Sequence, residues 1–368
     1  MRLILTGGGT GGHLYPGLSI LQALQDRSTV QVLFIGTKQG IEARVVPQQG
    51  IPFKTVWISG MHRGRLFSNL LFPLKMIVSL VQALWLISAF SPDLVLGTGG
   101  YVSWPVLTAG VMLGKTTALQ EQNQKPGLVT RLLASRVNRM FLSHESSLRY
   151  FRKCGHCMVS GNPVRSNLIL GTKAEALVYF KLDENRKTLF IFGGSQGALG
   201  LNRAILNALP MLMEDPDLQI LWASGPRWEP EVVQKSKMWR DRIFVHAYIE
   251  HMDLAFAAAD LVCCRSGATT IAELTSLGLP ALLVPFPGAA YGHQEGNARA
   301  LIEKGAADML LEQDASPKLL SQTIELIIND SNKMKEMAKR SKAMGRPHAA
   351  DEIASSLLEM IQYNEEGK

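Results

Sequence analysis

The chain has few cysteines, only four in 368 residues, which is too few for a disulfide-built scaffold. Cys154 and Cys157 have the spacing of a redox motif. However, they precede a predicted strand instead of opening a helix after one, and no second pair of this spacing completes a zinc site. We therefore expect the cysteines to be incidental.

Motifs of several common enzyme classes are also missing. The sequence has no HExxH, and neither of its glycine-rich loops is followed by the Gly-Lys-Ser or Gly-Lys-Thr of a P-loop. Its one DxD, at Asp215 and Asp217, lies in a turn before a predicted strand. The sequence therefore predicts chemistry that needs no metal ion and no cofactor.

Acidic residues are in deficit, since 38 Lys and Arg stand against 31 Asp and Glu, a formal net charge of +7. No run of Lys or Arg and no recognition-helix or RNA-binding signature accompanies this excess, so nucleic acid is not the expected partner. An anionic substrate or an anionic membrane surface fits the charge better. The N-terminal segment is a predicted core strand without an export signal, so we expect a cytoplasmic location.

The most informative feature present is a strand, a glycine loop and a helix that occur twice. Residues 7–12 (GGGTGG) and 193–198 (GGSQGA) each follow a short apolar run. Such a loop places backbone amides at the start of a helix, where the helix dipole favours an anion. The sequence therefore predicts two phosphate-binding faces.

Short apolar runs alternate with helical segments in both halves, which is typical of a parallel α/β sheet. The chain is longer than one core usually fills, so we predict two doubly wound Rossmann-like domains that face each other across a cleft. The boundary is expected near the GNPVR turn at 161–165. The predicted domains are residues 1–163 and 164–345, and residues 346–368 are predicted to form a helix that packs back toward the first domain.

One hydrophobic run, residues 70–90, is nearly long enough to span a bilayer. Its place within a repeating α/β pattern favours a helix that is mostly buried against a sheet. Because basic and apolar residues precede it, an additional exposed stripe that faces a membrane stays open. The candidate membrane contacts are Arg63, Arg65, Leu66, Phe67, Lys75 and Trp85.

Polar side chains follow the predicted strands of the second half. Glu273 lies about two turns into a helix that starts with small residues, where a carboxylate can accept both hydroxyls of a ribose. His293, Gln294 and Asn297 lie in a polar loop whose donors and acceptors suit sugar hydroxyls and phosphate. A solvated helix carboxylate and surface capping residues are the alternative interpretations.

The first half has matching polar residues. Glu121 and Asn123 follow one predicted strand, and Tyr101 follows the glycines of another. His13 ends the first glycine loop, and because histidine side chains have a reference pKa of about 6.5, it is a candidate for activating an attacking hydroxyl. A hydrogen-bonding loop histidine is the open alternative. Arg165 or Ser195 is a candidate for stabilising a departing diphosphate.

Seven segments carry a closer resemblance: GGGTGGH (7–13), GTGGYVS (97–103), EQN (121–123), GNPVR (161–165), GGSQGA (193–198), CRSGATTIAE (264–273) and HQEGNA (293–298). Together and in this order they resemble the MurG family, the peripheral membrane glycosyltransferases of peptidoglycan synthesis, over nearly the whole chain. The resemblance implies the GT-B fold. It also implies that the second domain holds most of UDP-N-acetylglucosamine and that the first binds the acceptor and the membrane.

The resemblance further implies roles by position. Glu273 would bind the ribose hydroxyls, the backbone of Ile249 the uracil, and Gln294 the sugar. Ser195 with its neighbours Gly194 and Gln196 would bind the diphosphate. His13 is the favoured base, with Glu121 and Tyr101 as further catalytic candidates. The other implied donor contacts are Thr10, Gly11, Gly12, Asn123, Arg165, Ala268, Thr269, Thr270, Ile271, Ala272, His293 and Asn297.

The implied reaction is an inverting, metal-independent transfer of N-acetylglucosamine to the C4 hydroxyl of lipid I, the undecaprenyl-diphosphate-linked N-acetylmuramoyl-pentapeptide. It gives lipid II at the cytoplasmic face of the cell membrane, with other cell-wall synthesis proteins as further partners. Tyr291 and Gly292 depart from the family, which often has acidic or amide residues there. Two alternatives stay open: a nucleotide-sugar 2-epimerase, and a non-catalytic nucleotide-sugar-binding subunit that recruits a partner enzyme to the membrane.

Overall fold

The structure is a computed structural model that describes residues 1–60, 71–151, 156–165, 168, 171–289 and 292–366. It divides into two compact units. Met1–Ser166 together with Arg346–Lys368 form the first unit, and Asn167–Gly345 forms the second.

The first unit is built on a parallel sheet. Its strands are β1 Arg2–Thr6, β2 Gln31–Gly36, β3 Phe53–Thr55, β4 Leu94–Gly97, β5 Thr116–Glu121, β6 Arg139–Leu142 and β7 Cys157–Val159. In the described part of the chain these seven strands lie in the order β3-β2-β1-β4-β5-β6-β7. The central strands are buried on both faces, as expected where helices cover a parallel sheet.

Helices on the two faces of this sheet close two hydrophobic clusters. The first five helices are α1 Gly11–Gln25, α2 Glu42–Gln48, α3 Phe72–Phe90, α4 Ser103–Met112 and α5 Leu128–Leu133, and a 3-10 helix spans Glu145–Tyr150. Side chains of β4 alternate between the clusters, since Val95 packs with α3 and α4 whereas Leu94 and Leu96 pack with α1.

The second unit repeats the scheme. Its strands are β8 Lys187–Phe192, β9 Leu218–Ala223, β10 Ile243–His246, β11 Leu261–Cys264, β12 Ala281–Leu283 and β13 Asp308–Met309, in the parallel order β10-β9-β8-β11-β12-β13. Its helices are α6 Lys173–Phe180, α7 Leu199–Leu212, α8 Glu229–Ser236, α9 Met252–Ala258, α10 Ala268–Leu277, α11 His293–Ile302, α12 Pro317–Ile328 and α13 Ser331–Ala343, with 3-10 helices at Lys237–Trp239 and Glu312–Asp314.

The last helix, α14 Ala349–Glu366, belongs to the first unit, where it packs against α1. Its residues Ile353, Ala354 and Leu357 are fully buried in the same cluster as β1. An ion pair between Arg27 and Asp351, 2.7 Å apart, joins the end of α1 to the start of α14.

Each sheet reverses its strand order once, between β1 and β4 in the first unit and between β8 and β11 in the second. At such a switch point the connections leave the two strands in opposite directions, so a crevice opens beyond their carboxyl ends. The predicted doubly wound parallel α/β fold is confirmed in both units. The sequence analysis missed β3 and β13, which are only 3 and 2 residues long.

Helix α3 differs from its expected environment, because only 22% of its most apolar 18-residue window is buried. The expectation that most of this helix is buried is wrong. One face, with Ser79, Ala83, Leu86 and Ile87, packs into the core, where α3 contacts α4. The other side chains of α3 are half-buried or exposed. Among the described residues, α3 is the one helix whose length and apolar composition would allow it to cross a membrane.

The cysteines also differ in part from expectation. Cys157 is disulfide-bonded, so the prediction that the cysteines are incidental is wrong for this one; Cys154 lies outside the described residues. Cys263 and Cys264 are buried free thiols on β11. Burial raises the pKa of Cys263 to about 12, which keeps the thiol protonated and unreactive.

Candidate functional site

The glycine loop of the first unit joins β1 to α1 and closes around a buried carboxylate. Glu42, on α2, is 0% exposed. It accepts hydrogen bonds from the Gly9 amide at 2.9 Å, the Thr37 amide at 3.1 Å and the Thr37 hydroxyl at 2.7 Å. A Cβ at Gly8 would lie 2.3 Å from the Glu42 carboxyl carbon. The loop therefore needs glycine there because the backbone passes against the carboxylate.

The turn after β4 meets the same loop. Gly100 has a φ of +79°, and a Cβ on it would lie 2.5 Å from the carbonyl oxygen of Gly8. Helix α1 begins beside this contact, with Thr10 as its extended N-cap and Gly11 and Gly12 as its first residues. The first amides of a helix have no partner within the helix, so they are free to bind an anion. The sequence-predicted residues at positions 10–12 thus lie at an anion-competent helix start.

His13 follows directly and contacts the ends of two neighbouring strands. Its Nδ1 lies 3.2 Å from the carbonyl oxygen of Thr98 and 2.9 Å from Oε1 of Gln122. The ring is half-buried. Tyr101 lies on the other side of the loop, where a Cβ at Gly9 would be 3.3 Å from its ring. The structure therefore brings His13, Tyr101 and the glycine loop together.

Glu121 and Asn123 lie at the carboxyl end of β5, as the sequence predicts. The Glu121 carboxylate is 3% exposed and accepts hydrogen bonds from the Asn123 amide at 3.0 Å, its Nδ2 at 3.1 Å and the Gly127 amide at 3.1 Å. These bonds give Glu121 the role of fixing the turn that carries Asn123. Burial lowers the pKa of the adjacent His144, and the charge of Glu121 offsets part of this effect.

Arg165 lies just beyond β7 in the GNPVR segment. Its guanidinium carbon is 5.3 Å from the centre of the Tyr15 ring, on the first turns of α1. This cation–π contact places a positive charge near the start of that helix. The structure thus brings the predicted Arg165 to the same helix start as residues 10–12.

The second glycine loop lies between β8 and α7 and repeats the close approach. Gly194 and Gly197 have φ values of +93° and +72°, and the Gly197 amide donates to the carbonyl of Gly194 at 2.9 Å. A Cβ at Gly197 would lie 2.0 Å from the carbonyl oxygen of Ser224. Ser195 and Gln196 occupy the tip of this turn, directly before α7. The predicted diphosphate contacts therefore lie at an anion-competent helix start.

The turn after β11 is held by a buried guanidinium. Arg265 donates to the carbonyl oxygens of Val284 at 3.0 Å and Pro285 at 3.1 Å, and it forms an ion pair with Glu312. The Arg265 side chain is 7% exposed and Glu312 is 25% exposed. The pair therefore fixes the exits of β11 and β12 relative to each other.

Helix α10 starts at this turn and carries the predicted nucleotide residues. Its first two turns contain Ala268, Thr269, Thr270, Ile271, Ala272 and Glu273. Glu273 is 4% exposed. Ile249, also 4% exposed, lies between β10 and α9. The start of α10 and the ends of β8 and β11 thus border the switch point of this sheet.

The predicted sugar-contacting residues lie at the start of α11, where they also hold the loop before it. Gln294 accepts the Phe286 amide at 2.9 Å through Oε1, and its carbonyl oxygen accepts the Ser266 hydroxyl at 2.8 Å. Asn297 is 2% exposed and donates to the Ser266 carbonyl at 3.1 Å. His293 is the first residue of α11. These contacts tie the residue 293–297 segment to the turn before α10.

The other sequence features fall outside these two sites. Asp215 accepts the amide of Asp217 at 2.9 Å within a turn, and its carbonyl accepts from Arg242. Among the described residues, no group of three or more His, Cys, Asp or Glu side chains could hold a metal ion. The sequence analysis missed Glu42 and Glu312, and it included Gln122 in the EQN segment without giving it a role. A carboxylate just after a strand and its glycine turn was the available signal for Glu42.

Two parallel-sheet units, each with a glycine loop at its switch point, have the architecture of the GT-B fold. Two family models match: the glycosyltransferase family 28 N-terminal domain at residues 3–142 and the C-terminal domain at residues 188–353. The chain belongs to glycosyltransferase family 28 and is a glycosyltransferase.

A full-length relative comes from Desulforamulus reducens, with 40% identity over 98% of this chain and 99% of its own. It is named UDP-N-acetylglucosamine--N-acetylmuramyl-(pentapeptide) pyrophosphoryl-undecaprenol N-acetylglucosamine transferase. The crystal structure of Acinetobacter baumannii MurG has a TM-score of 0.75 and 25% identity, covering 97% of this chain and 99% of its own. UDP-GlcNAc 2-epimerase from Neisseria meningitidis, bound to UDP-GlcNAc, has a TM-score of 0.68 and 15% identity over 98% of this chain and 100% of its own, and shares the fold.

The buried carboxylate of Glu42 makes a testable contribution to the first glycine loop. Glu42→Gln turns an amide nitrogen toward either Gly9 or Thr37, both of which donate, so one backbone donor loses its acceptor. We expect the free energy of unfolding to fall by about 1–3 kcal/mol, measured by urea denaturation. Glu145→Gln, at an exposed position of the same unit, is the matched control and should change it by less than about 0.5 kcal/mol. Equal effects of the two substitutions would show that the carboxylate does not hold the loop.

Proposed function

We propose that this chain transfers N-acetylglucosamine from UDP-N-acetylglucosamine to the C4 hydroxyl of lipid I, with inversion and without a metal ion, and so forms lipid II. The observation that carries the proposal is the full-length 40% identity to a relative named for this transfer. The glycine loops at both switch points support it, since a UDP-sugar and a lipid diphosphate each need an anion site. The Acinetobacter baumannii MurG structure supports it through the shared fold.

The second unit binds the donor in this proposal. Glu273 accepts the ribose hydroxyls, the backbone of Ile249 meets the uracil, and Gln294 contacts the sugar. Ser195 and the amides at the start of α7 hold the diphosphate, because the dipole and the unpaired N–H groups of a helix start favour an anion. Glu273 lies in the second turn of α10, near the carboxyl end of β11, where the side chain borders the switch point of this sheet.

The first unit supplies the acceptor site and the base. His13 takes the proton of the C4 hydroxyl while the oxygen of this hydroxyl bonds to the anomeric carbon of the donor sugar. The bond between that carbon and the diphosphate oxygen breaks, and its electron pair leaves with UDP. Residues 10–12 lie beside His13 at the start of α1, where the acceptor diphosphate or the departing UDP can be held by amides. Arg165, near the same helix start, adds a positive charge.

Helix α3 attaches the protein to the cytoplasmic face of the membrane in this proposal. Leu74, Ile77, Val81 and Trp85 recur at spacings of three and four and are all at least half exposed, with Trp85 at 69%. The opposite face of α3 is buried in the core, so the helix lies on the bilayer and does not span it. Lys75, hydrogen-bonded to Ser59 at 2.9 Å, places a cation beside the stripe. The predicted contacts Arg63, Arg65, Leu66 and Phe67 lie outside the described residues.

The transfer itself is the first test. The purified chain should move radiolabelled N-acetylglucosamine from its UDP conjugate to a short-chain lipid I analogue in the presence of a chelator. Product with the lipid acceptor establishes both the reaction and the acceptor class. Donor binding by calorimetry without any transfer, or release of epimerised sugar, would overturn the proposal in favour of a binding subunit or an epimerase.

Removal of the Glu273 carboxylate tests the donor site. Glu273→Ala should raise the KM for UDP-N-acetylglucosamine about tenfold to a hundredfold, because hydrogen bonds to a charged group contribute about 1.5–3 kcal/mol and 1.4 kcal/mol is a factor of ten. The KM for the lipid acceptor should stay within about twofold. Glu303→Ala, at an exposed carboxylate of the same unit, is the control. An unchanged donor KM would remove Glu273 from the nucleotide site.

Polar substitution of the α3 stripe tests membrane attachment. The triple variant Ile77→Ser, Val81→Ser and Trp85→Ser should bind vesicles containing anionic phospholipid about tenfold or more weakly in a sedimentation assay, since each buried apolar side chain contributes about 1.5–3 kcal/mol. The matched control is Val178→Ser, Met238→Ser and Leu326→Ser, which removes exposed apolar side chains from the second unit. The same assay with zwitterionic vesicles measures how much the anionic lipid charge contributes to binding. Equal binding by the two triple variants would place the attachment surface elsewhere.

A further inference from the structure

A chain of buried amide side chains runs from His13 into the first unit. Gln122 is 2% exposed and Gln120 is 0% exposed. Gln122 lies 2.9 Å from Nδ1 of His13 through Oε1, and its Nε2 donates to the Thr98 carbonyl at 2.5 Å and to Oε1 of Gln120. Nε2 of Gln120 in turn lies 3.1 Å from the Ser143 hydroxyl and 3.2 Å from Oδ1 of Asn162.

A backbone carbonyl fixes the direction of these hydrogen bonds. The Thr98 oxygen is a backbone carbonyl and only accepts, so the amide group of Gln122 must point its nitrogen toward it. The oxygen of Gln122 therefore faces His13. An amide oxygen also only accepts, so Nδ1 of His13 must carry a proton to bond with it. The Thr98 carbonyl, 3.2 Å from the same Nδ1, requires the same assignment.

We propose that Gln122 is a positioning residue that holds His13 as the Nδ1–H tautomer, which leaves the lone pair on Nε2 as the basic site. The inference rests on the proposed role of His13 as the base. A neutral imidazole has one basic nitrogen, and the hydrogen bond made by the other nitrogen decides which one it is. Free imidazole side chains favour the Nε2–H tautomer, so the contacts with Gln122 and Thr98 reverse the intrinsic preference.

The same contacts hold the ring after proton transfer. When Nε2 takes the proton of the acceptor hydroxyl, the imidazolium keeps its Nδ1–H bonded to Gln122 and Thr98. Both acceptors are uncharged oxygens, so they stabilise the cation less than a carboxylate would and leave the proton easier to release afterwards. Gln122 acts through His13 and does not itself exchange a proton.

Burial explains why the amide keeps this orientation. Rotating the Gln122 amide by half a turn would point its oxygen at the Thr98 carbonyl oxygen. It would also point its NH₂ group at Nδ1 of His13, which donates to the same carbonyl. Gln120 stabilises it from behind, because its Oε1 accepts from Gln122 while its own nitrogen is engaged by Ser143 and Asn162. The buried Gln122 amide therefore has both its oxygen and its nitrogen hydrogen-bonded, which fixes its orientation.

The test reads the tautomer directly, in the full-length protein labelled with ¹⁵N-histidine. Long-range ¹H–¹⁵N correlation spectra distinguish a protonated Nδ1 from a protonated Nε2, and the His13→Gln spectrum identifies the His13 signals. We expect Nδ1–H at His13 in the native chain. Gln122→Met, similar in length but unable to hydrogen-bond, should move the His13 signals toward the Nε2–H tautomer.

Kinetics supply the second readout. Gln122→Met should lower kcat about tenfold to a hundredfold, less than the loss of about 10²–10⁴ expected for deleting a general base, with the donor KM within about twofold. The matched control is Gln219→Met, which removes a buried amide from β9 in the second unit that bonds Thr188 and Asp183. The Gln219→Met protein should lose about as much stability as the Gln122→Met protein, and its His13 signals should not change.

The outcomes separate the two proposals. Nε2–H in the native protein, or Nδ1–H unchanged in Gln122→Met, would overturn the positioning role of Gln122 whatever the activity. Full activity of His13→Gln would overturn His13 as the base even if the spectra match expectation. A loss of kcat in Gln122→Met that Gln219→Met reproduces would show that the loss is one of stability and would count against the inference.

Discussion

The first unit depends on how closely two backbone turns approach each other beyond β1 and β4. The carbonyl of Gly8 and the backbone of Gly100 are so near that no Cβ fits at Gly100, and the Glu42 carboxylate fills the space behind Gly8. Because these turns leave no room to move, the start of α1 has a fixed position, and His13 meets the ends of β4 and β5. The amides at the start of α1 and the candidate base are thus positioned by one close contact.

The second unit meets the same requirement with different chemistry. Its loop after β8 is fixed by the approach of Gly197 to the Ser224 carbonyl, and the turn after β11 by the guanidinium of Arg265 with Glu312. A buried carboxylate surrounded by donors and a buried guanidinium surrounded by acceptors each hold loops that carry few side chains of their own. Both units therefore keep a bare backbone edge for a ligand and stabilise it from within the protein.

The surface of α3 follows from the layered fold. A helix that covers one face of a sheet buries a single stripe, and here small residues such as Ser79 and Ala83 occupy that stripe. The large apolar residues are left on the outer face. Ordinary surface helices place charged residues there, so the outer face of α3 has the composition of a helix that meets an apolar phase. One face of α3 thus belongs to the core, and the other is the surface used in the proposed membrane attachment.

The sequence by itself determined the alternation of strands and helices, the two glycine loops, and the helix that carries Glu273, because apolar periodicity and glycine turns are local properties. It placed His13 at the end of the first glycine loop, whereas the structure has it in the first turn of α1. It also yielded the motif order that identifies the family. It failed for β3 and β13, which are too short to show a period, and for α3, whose apolar length does not reveal which face is covered. Only the tertiary structure decided which groups meet at the site. Glu42 is 33 residues from Gly9, and Gln122 is 109 residues from His13. Such contacts arise because the parallel strand order, and not the spacing along the chain, brings their loops to one edge of the sheet.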